Sequence, residues 1–214
     1  MQLTPPIPDK ICIPPIGWVF NDSPDNSLYV ELYNYYIPIM KLRHYDGDGR
    51  AHFVTFGTFK KFPLITNNEN RKTIIDAIIS MREKYGFRLL GYILMPEHIH
   101  LVIVPADGTK LGRIIGEIKR ESAVKILDKF KRLNSPILSK LEVTRNGIKK
   151  HAFWQRRCYD HNCRTPESVW KAIDYCHNNP MKRGLVNKPS SWIWSSYRFY
   201  HGKNGVVLKI DSAT

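Results

Sequence analysis

An α+β sandwich of the ferredoxin-like or RRM-like kind, with an antiparallel sheet of four to five strands backed by helices, is the fold class this sequence predicts. Three observations predict it. Elements follow one another as strand, helix, strand, strand, helix, strand, helix, the order in which such a sheet is wound. Strand-like runs rich in β-branched and aromatic residues alternate with runs of helical period. At 214 residues, 43% hydrophobic and 24% charged, the chain has material for a single core plus an extension.

Residues 1–48 stand apart as a Pro-rich N-terminal arm that ends in the turn-forming Asp46-Gly47-Asp48-Gly49. Within it, the aromatic stretch from Ser27 to Met40 is β-prone and predicts an edge strand or a segment packed on the body. The body itself spans 49–202, and 203–214 form a C-terminal tail. Ala51 to Phe59 alternates as a strand. The loop ending Thr66-Asn67-Asn68-Glu69 has the pattern of a capping box, and the helix it opens carries Ile74, Ile75, Ile78, Ile79 and Met81 and stops at Gly86. Phe87 to Met95 and Glu97 to Val104 are two β-rich runs parted by Pro96, which predicts an antiparallel pair.

A second helix is expected from about Lys110 to Lys131, with Leu111, Ile115, Ile118, Ile126, Leu127 and Phe130 recurring at helix-like intervals. Asn134 to Lys150 reads as a polar, basic connection, and Phe153 to Tyr159 as a short strand. The third helix has a marked start: Thr165 caps it, Pro166 occupies its first position and Glu167 favours the helix dipole. Asn179-Pro180 is expected to end it, because a residue before proline is biased away from helix.

Charge selects the class of partner. Lys and Arg number 33 against 19 Asp and Glu, a net charge of +14 with a pI near 9.7, which points to a polyanion and first to nucleic acid. Four cysteines at irregular spacing (Cys12, Cys158, Cys163, Cys176), with no signal peptide before them, exclude a disulfide framework and fit the cytoplasm. Apolar runs such as Leu101 to Val104 fall far short of the roughly 20 residues that span a bilayer, so no membrane partner is expected.

The candidate chemistry starts with His98 and His100. Two residues apart on a strand, they project from one face while Ile99, Leu101 and Ile103 take the other, so both imidazoles can reach one metal ion. The plainer reading is two polar positions on an amphipathic strand. On the third helix, Tyr175 and Asn179 are four apart and therefore neighbours. Val169, Ala172, Ile173 and Cys176 define that helix's buried stripe, and Tyr175 falls roughly 120° from its centre, at about 100° per residue. A tyrosine there either faces a cleft or packs at the edge of the core.

Four segments, LMPEHIHLVIV (94–104), FWQRRCYD (153–160), DYCHNNPMKRGLV (174–186) and WIWSSY (192–197), occur in the order found in the REP-associated tyrosine transposases. From roughly residue 50 to 200 the chain resembles that group, part of the IS200/IS605-like single-tyrosine transposases and of the wider His-hydrophobe-His endonuclease superfamily. The resemblance implies that His98 and His100 are metal ligands, that Tyr175 is the nucleophile on a C-terminal helix, and that Asn179 is a third ligand for Mg2+ or Mn2+. It implies that residues 49–202 are a catalytic domain that cleaves single-stranded DNA through a 5′-phosphotyrosine link and rejoins it. The implied partner is single-stranded or hairpin DNA, bound by a monomer or homodimer. The long arm and the Cys176-His177-Asn178 stretch depart from the family pattern.

The residue types suit that chemistry. A phosphodiester repels nucleophiles, so a cation is needed to polarise it, and a phenol of reference pKa near ~10 needs help to lose its proton. An imidazole pair alone would also accept zinc. Lys119, Arg120, Lys149, Lys150, Arg156, Arg157, Lys182 and Arg183 are the candidate DNA contacts, with Trp154, Trp192 and Trp194 as candidate stacking platforms. Two alternatives are a noncatalytic basic nucleic-acid-binding module of ferredoxin-like fold, and a small zinc site on Cys158, Cys163, His161 and His151.

Overall fold

The structure, a computed structural model, describes residues 49–213. The Pro-rich arm, its β-prone stretch 27–40 and Cys12 lie outside the described residues. Strands β1 (Ala51–Gly57), β2 (Arg88–Leu94), β3 (His98–Val104) and β6 (Tyr159–Cys163) form one antiparallel sheet in the order β2-β3-β1-β6. Helices α1 (Asn68–Tyr85) and α2 (Leu111–Arg132) complete the β-α-β-β-α-β winding, which with this strand order is the ferredoxin-like arrangement. Helix α4 (Pro166–Lys182) follows the last strand.

Strand alternation divides the sheet's side chains between two apolar clusters. Val54, Phe56, Leu89, Ile99, Leu101 and Ile103 point one way and pack on Ile74 and Ile78 of α1 and Ile114 and Ile118 of α2. Ile93, Met95 and Val102 point the other way, onto Ala172, Ile173 and Cys176 of α4. Burying each of the large side chains contributes about 1.5–3 kcal/mol, so both layers are held firmly without directional contacts. The second layer places α4 across the sheet face from which His98 and His100 project.

Local signals set most boundaries. Asn67 caps α1 by accepting from the Asn70 N–H at 2.7 Å, one residue later than a box starting at Thr66 would place it. Gly86 ends that helix at φ 64°, a left-handed conformation open to glycine at little cost. Thr165 and Ser168 form a reciprocal capping box at the start of α4.

The structure corrects three expectations. Helix α4 continues through Pro180 to Lys182 and ends where Gly184 turns left-handed at φ 66°. Gly184 N–H donates to Met181 O and Leu185 N–H to Pro180 O, the paired bonds of a Schellman motif, so glycine and not proline stops the helix. Residues 134–150 are not simply a connection: they hold the short helix α3 (Ile137–Leu141) and a hairpin of β4 (Glu142–Arg145) and β5 (Ile148–His151). Asn146 and Gly147, both at positive φ, make its two-residue turn.

The fourth sheet strand is Tyr159–Cys163 and not Phe153–Tyr159. Trp154 makes only an isolated bridge to Thr58, whereas Asp160 lies within a continuous ladder with β1 and its carboxylate accepts from His52 Nδ1–H at 2.8 Å. Beyond residue 202 the chain keeps packing: Leu208 and Ile210 are buried in the core beside α1 and α2, and the Asp211 N–H donates to Leu89 O.

Candidate active site

Adjacent strands bring the first part of the site together. His100 lies opposite Thr55 of β1 and His98 opposite Gly57, which places no side chain beside it. Each imidazole is held through Nδ1. His98 Nδ1–H donates to Glu97 Oε1 at 3.0 Å, and Thr55 Oγ1 lies 2.7 Å from His100 Nδ1. The Nε2 atoms then face each other at 3.0 Å. Phe53, two residues before Thr55 and so on the same face, stacks on the His100 ring at 5.2 Å between centroids.

Helix α4 supplies the rest. The Tyr175 ring, half-buried, meets His100 edge-on at 5.2 Å and Phe53 at 5.7 Å. One turn on, the Asn179 amide Nδ2–H donates to His100 Nε2 at 3.1 Å. A nitrogen that accepts there carries no proton, so the His100 proton sits on Nδ1 and is donated to Thr55. Asn179 Oδ1 is buried with no hydrogen-bond partner. Two ring nitrogens and the Asn179 amide therefore meet, and with the amide turned so that its unpartnered Oδ1 faces them they form the kind of neutral donor set that accommodates a divalent cation. Among the described residues no group of three or more His, Cys, Asp or Glu is placed to hold a metal, so this mixed set is the candidate.

Burial tunes the groups. It pushes the His100 imidazole well below its usual 6.5, with the neighbouring His98 acting the same way, so the ring is uncharged at neutral pH. Burial works against ionising Glu97, yet the bond to His98 and the Arg183 guanidinium, 2.9 Å away, hold it below the usual carboxylate value. Tyr175 is raised above 10 by burial first and by Cys176 second, with Arg183 opposing. The phenol is protonated at rest.

The candidate DNA contacts fall in different places. Lys182 lies over the Tyr175 ring at 5.6 Å and Arg183 pairs with Glu97, so both border the imidazole pair. Arg120, Lys150 and Arg156 line a second concavity of about 400 Å³, together with Arg145, Gly112 and Gly116, between α2 and the β4–β5 hairpin. Arg157 is exposed nearby in sequence, and Lys149 pairs with Glu142 at 3.1 Å. Lys119 donates to the carbonyls of Gln155 and Arg156, so its ammonium holds the chain that follows Trp154.

The tryptophans are structural and not stacking platforms. Trp154 is buried and donates to Ser122, Trp194 is buried, and Trp192 donates to Leu94 O while sharing the Arg71 guanidinium with Trp194. The zinc alternative fails on packing: Cys163 joins the cluster under α4, whereas Cys158 packs against the other one. Thr55, Glu97 and Phe53 escaped the sequence reading. Glu97 adjoins His98, but nothing local marks Thr55 or Phe53, which reach the site only through β1–β3 pairing.

Comparison with known proteins adds an independent line. Residues 48–179, more than half of the chain and including His98, His100, Tyr175 and Asn179, match the family described as "Transposase IS200 like". A Haemophilus influenzae protein assigned as a REP-associated tyrosine transposase is 23% identical over 151 residues, 67% of this chain and 81% of that protein. The REP-associated tyrosine transposase of Escherichia coli is 24% identical over 122 residues, 56% of this chain and 61% of that protein. A solved REP-associated tyrosine transposase bound to a REP hairpin shares the fold, with a TM-score of 0.58 and 22% identity over 79% of this chain and 90% of that one. A sheet that pairs two histidines, a helix that sets a tyrosine on them and a match across the whole of that unit have one conclusion: this chain belongs to the IS200-like transposase family.

Proposed function

We propose that this transposase is a metal-dependent single-stranded DNA endonuclease and strand transferase that works through a 5′-phosphotyrosine intermediate. The observation that carries the reading is the contact of the Tyr175 ring with His100, whose Nε2 is shared with Asn179 and faces that of His98. His98, His100 and Asn179 would hold Mg2+ or Mn2+. When bound, such an ion polarises the scissile phosphate and offsets its charge.

The protein's own residues do the rest. Glu97 and Thr55 fix both imidazoles so that Nε2 faces inward. Tyr175 Oη bonds to phosphorus as the bond from phosphorus to the 3′-oxygen breaks; the phenol loses its proton and the departing oxygen gains one. Lys182 and Arg183 supply positive charge beside the phenol while phosphate negative charge builds. The link keeps the energy of the broken ester, so a 3′-hydroxyl can attack it and restore a phosphodiester without ATP.

The net charge of +14 and the groove beside α2 support DNA as the partner, with Arg120, Arg145, Lys150 and Arg156 contacting its backbone. The hairpin bound by the structural relative favours a single-stranded or hairpin substrate. The test is a covalent complex that survives denaturation, formed with an oligonucleotide labelled on either side of the break in Mn2+. A 5′-phosphotyrosine link leaves the 3′-side fragment on the protein; label retained only on the 5′-side fragment, or a complex lost on denaturation, would refute it.

A further inference from the structure

We propose that His177 and Ser196 are positioning residues that set the rotation of α4 and thereby aim Tyr175 and Asn179 at the imidazole pair. The inference rests on the roles just given to Tyr175 and Asn179. It assigns a task to two features the chemistry leaves over, the WIWSSY segment and the Cys176-His177-Asn178 stretch.

Ser196 is a fixed point. Residues 192–196 run along the free edge of β2: Leu94 N–H donates to Trp194 O at 2.9 Å, Ser196 N–H to Tyr92 O at 3.0 Å, and the Trp192 indole to Leu94 O at 3.0 Å. Ser196 is fully buried, and its hydroxyl accepts from the Tyr92 N–H at 3.1 Å. The same oxygen lies 3.0 Å from His177 Nε2, and both groups are buried. A hydrogen bond therefore ties α4 to the backbone of the sheet.

The tie acts where aim is decided. At about 100° per residue, His177 sits roughly 200° around the helix from Tyr175, so it grips the far flank while Tyr175 and Asn179 share the flank facing His100. Beside the Asn179–His100 bond at the site itself, α4 packs on the sheet through Ala172, Ile173 and Cys176, which are apolar. Apolar burial is non-directional and leaves the helix free to rotate or slide, whereas a hydrogen bond weakens steeply with misalignment. Gly91 allows the close approach: a Cβ there would lie 3.2 Å from Ile173 Cγ1 and 3.6 Å from Ser196 Oγ. Around the tie, Tyr197 and Tyr200 enclose the His177 ring at 5.4 and 5.6 Å.

Two measurements on the full chain test the inference. One is the set of NMR cross-relaxation peaks between the Tyr175 and His100 rings, and the other the single-turnover rate of adduct formation on a labelled single-stranded oligonucleotide with Mn2+. Ser196→Ala and His177→Phe, the second of which fills the aromatic enclosure but cannot make the bond, should weaken the peaks. They should also slow the reaction on the order of 100-fold, as a misplacement of about 1 Å does, with DNA affinity unchanged. His177→Gln, whose amide can reach Ser196, should restore both. Should Ser196→Ala not fold, His177→Phe decides alone. Peaks of wild-type intensity in the folded bond-deleting variants would overturn the proposal. A wild-type chain that forms no adduct would instead refute the phosphotyrosine reading, and the ring-to-ring peaks would still decide this one.

Discussion

Thr55→Val is the sharpest probe of how the imidazole pair is built, because it keeps the side chain's shape and deletes one hydroxyl. In the wild type that hydroxyl lies 2.7 Å from Nδ1 of His100, which is only 4% exposed and has its other ring nitrogen engaged by Asn179. With valine, the Nδ1–H is buried without a partner, which costs about 1–3 kcal/mol. For a domain of this size each kcal/mol lowers Tm by about 2–4 °C, so a fall of a few degrees or more is expected. The ring also loses what holds Nε2 inward, and removing such a supporting bond weakens metal binding by about 10–100-fold. Thermal denaturation read beside Mn2+ titration measures both effects, and Thr55→Ser should restore both. A valine variant with wild-type Tm and wild-type Mn2+ affinity would refute the reasoning.

Other predictions follow from the same geometry. Chelation by EDTA should abolish adduct formation and Mg2+ or Mn2+ should restore it, whereas His98→Ala and His100→Ala should stay inactive after either ion is added, as gel assays would show. Arg145→Ala, Lys150→Ala and Arg156→Ala together should reduce the slope of log affinity against log salt for single-stranded DNA by about 2, since each phosphate contact contributes about 0.7; an unchanged slope in filter binding would remove the groove from the DNA path. Burial, with His201 adding to it, holds the His177 imidazole down from 6.5 to about 4. As pH falls below about 6.5 the unfolded chain takes up this proton and the folded chain does not until about 4, so stability present above the window is lost across it, on the order of 3 kcal/mol in full. Urea midpoints of His177→Phe should therefore fall less between about pH 7 and pH 5 than those of wild type.

Period-2 and period-3.6 geometry made His98 with His100, and Tyr175 with Asn179, legible as pairs, because each pair lies within one element whose type was clear. That the pairs meet depends on α4 crossing the β3 face, a tertiary fact without local signature. Thr55 and Phe53 belong to the site by strand pairing alone, and a register one residue away would turn both to the opposite layer. Lys119 reads like Arg120 in sequence, whereas in the structure its ammonium donates to two backbone carbonyls at the wall of the groove beside α2. The Asn146-Gly147 turn was readable and was masked by the charge around it. The strand at Tyr159–Cys163 was not readable, since Asp160, His161 and Asn162 have little β preference and extend only because β1 pairs with them.

Tyr175 is the proposed attacking group. Tyr175→Phe removes one oxygen and leaves a ring to pack on Phe53 and His100, so the variant should fold and bind single-stranded DNA as wild type does. Incubated with labelled oligonucleotide and Mn2+, it should give no covalent complex, while peptide mapping of the wild-type complex should place the DNA on Tyr175. A phenylalanine variant that still forms the complex, or a wild-type complex carried by another residue, would contradict the account.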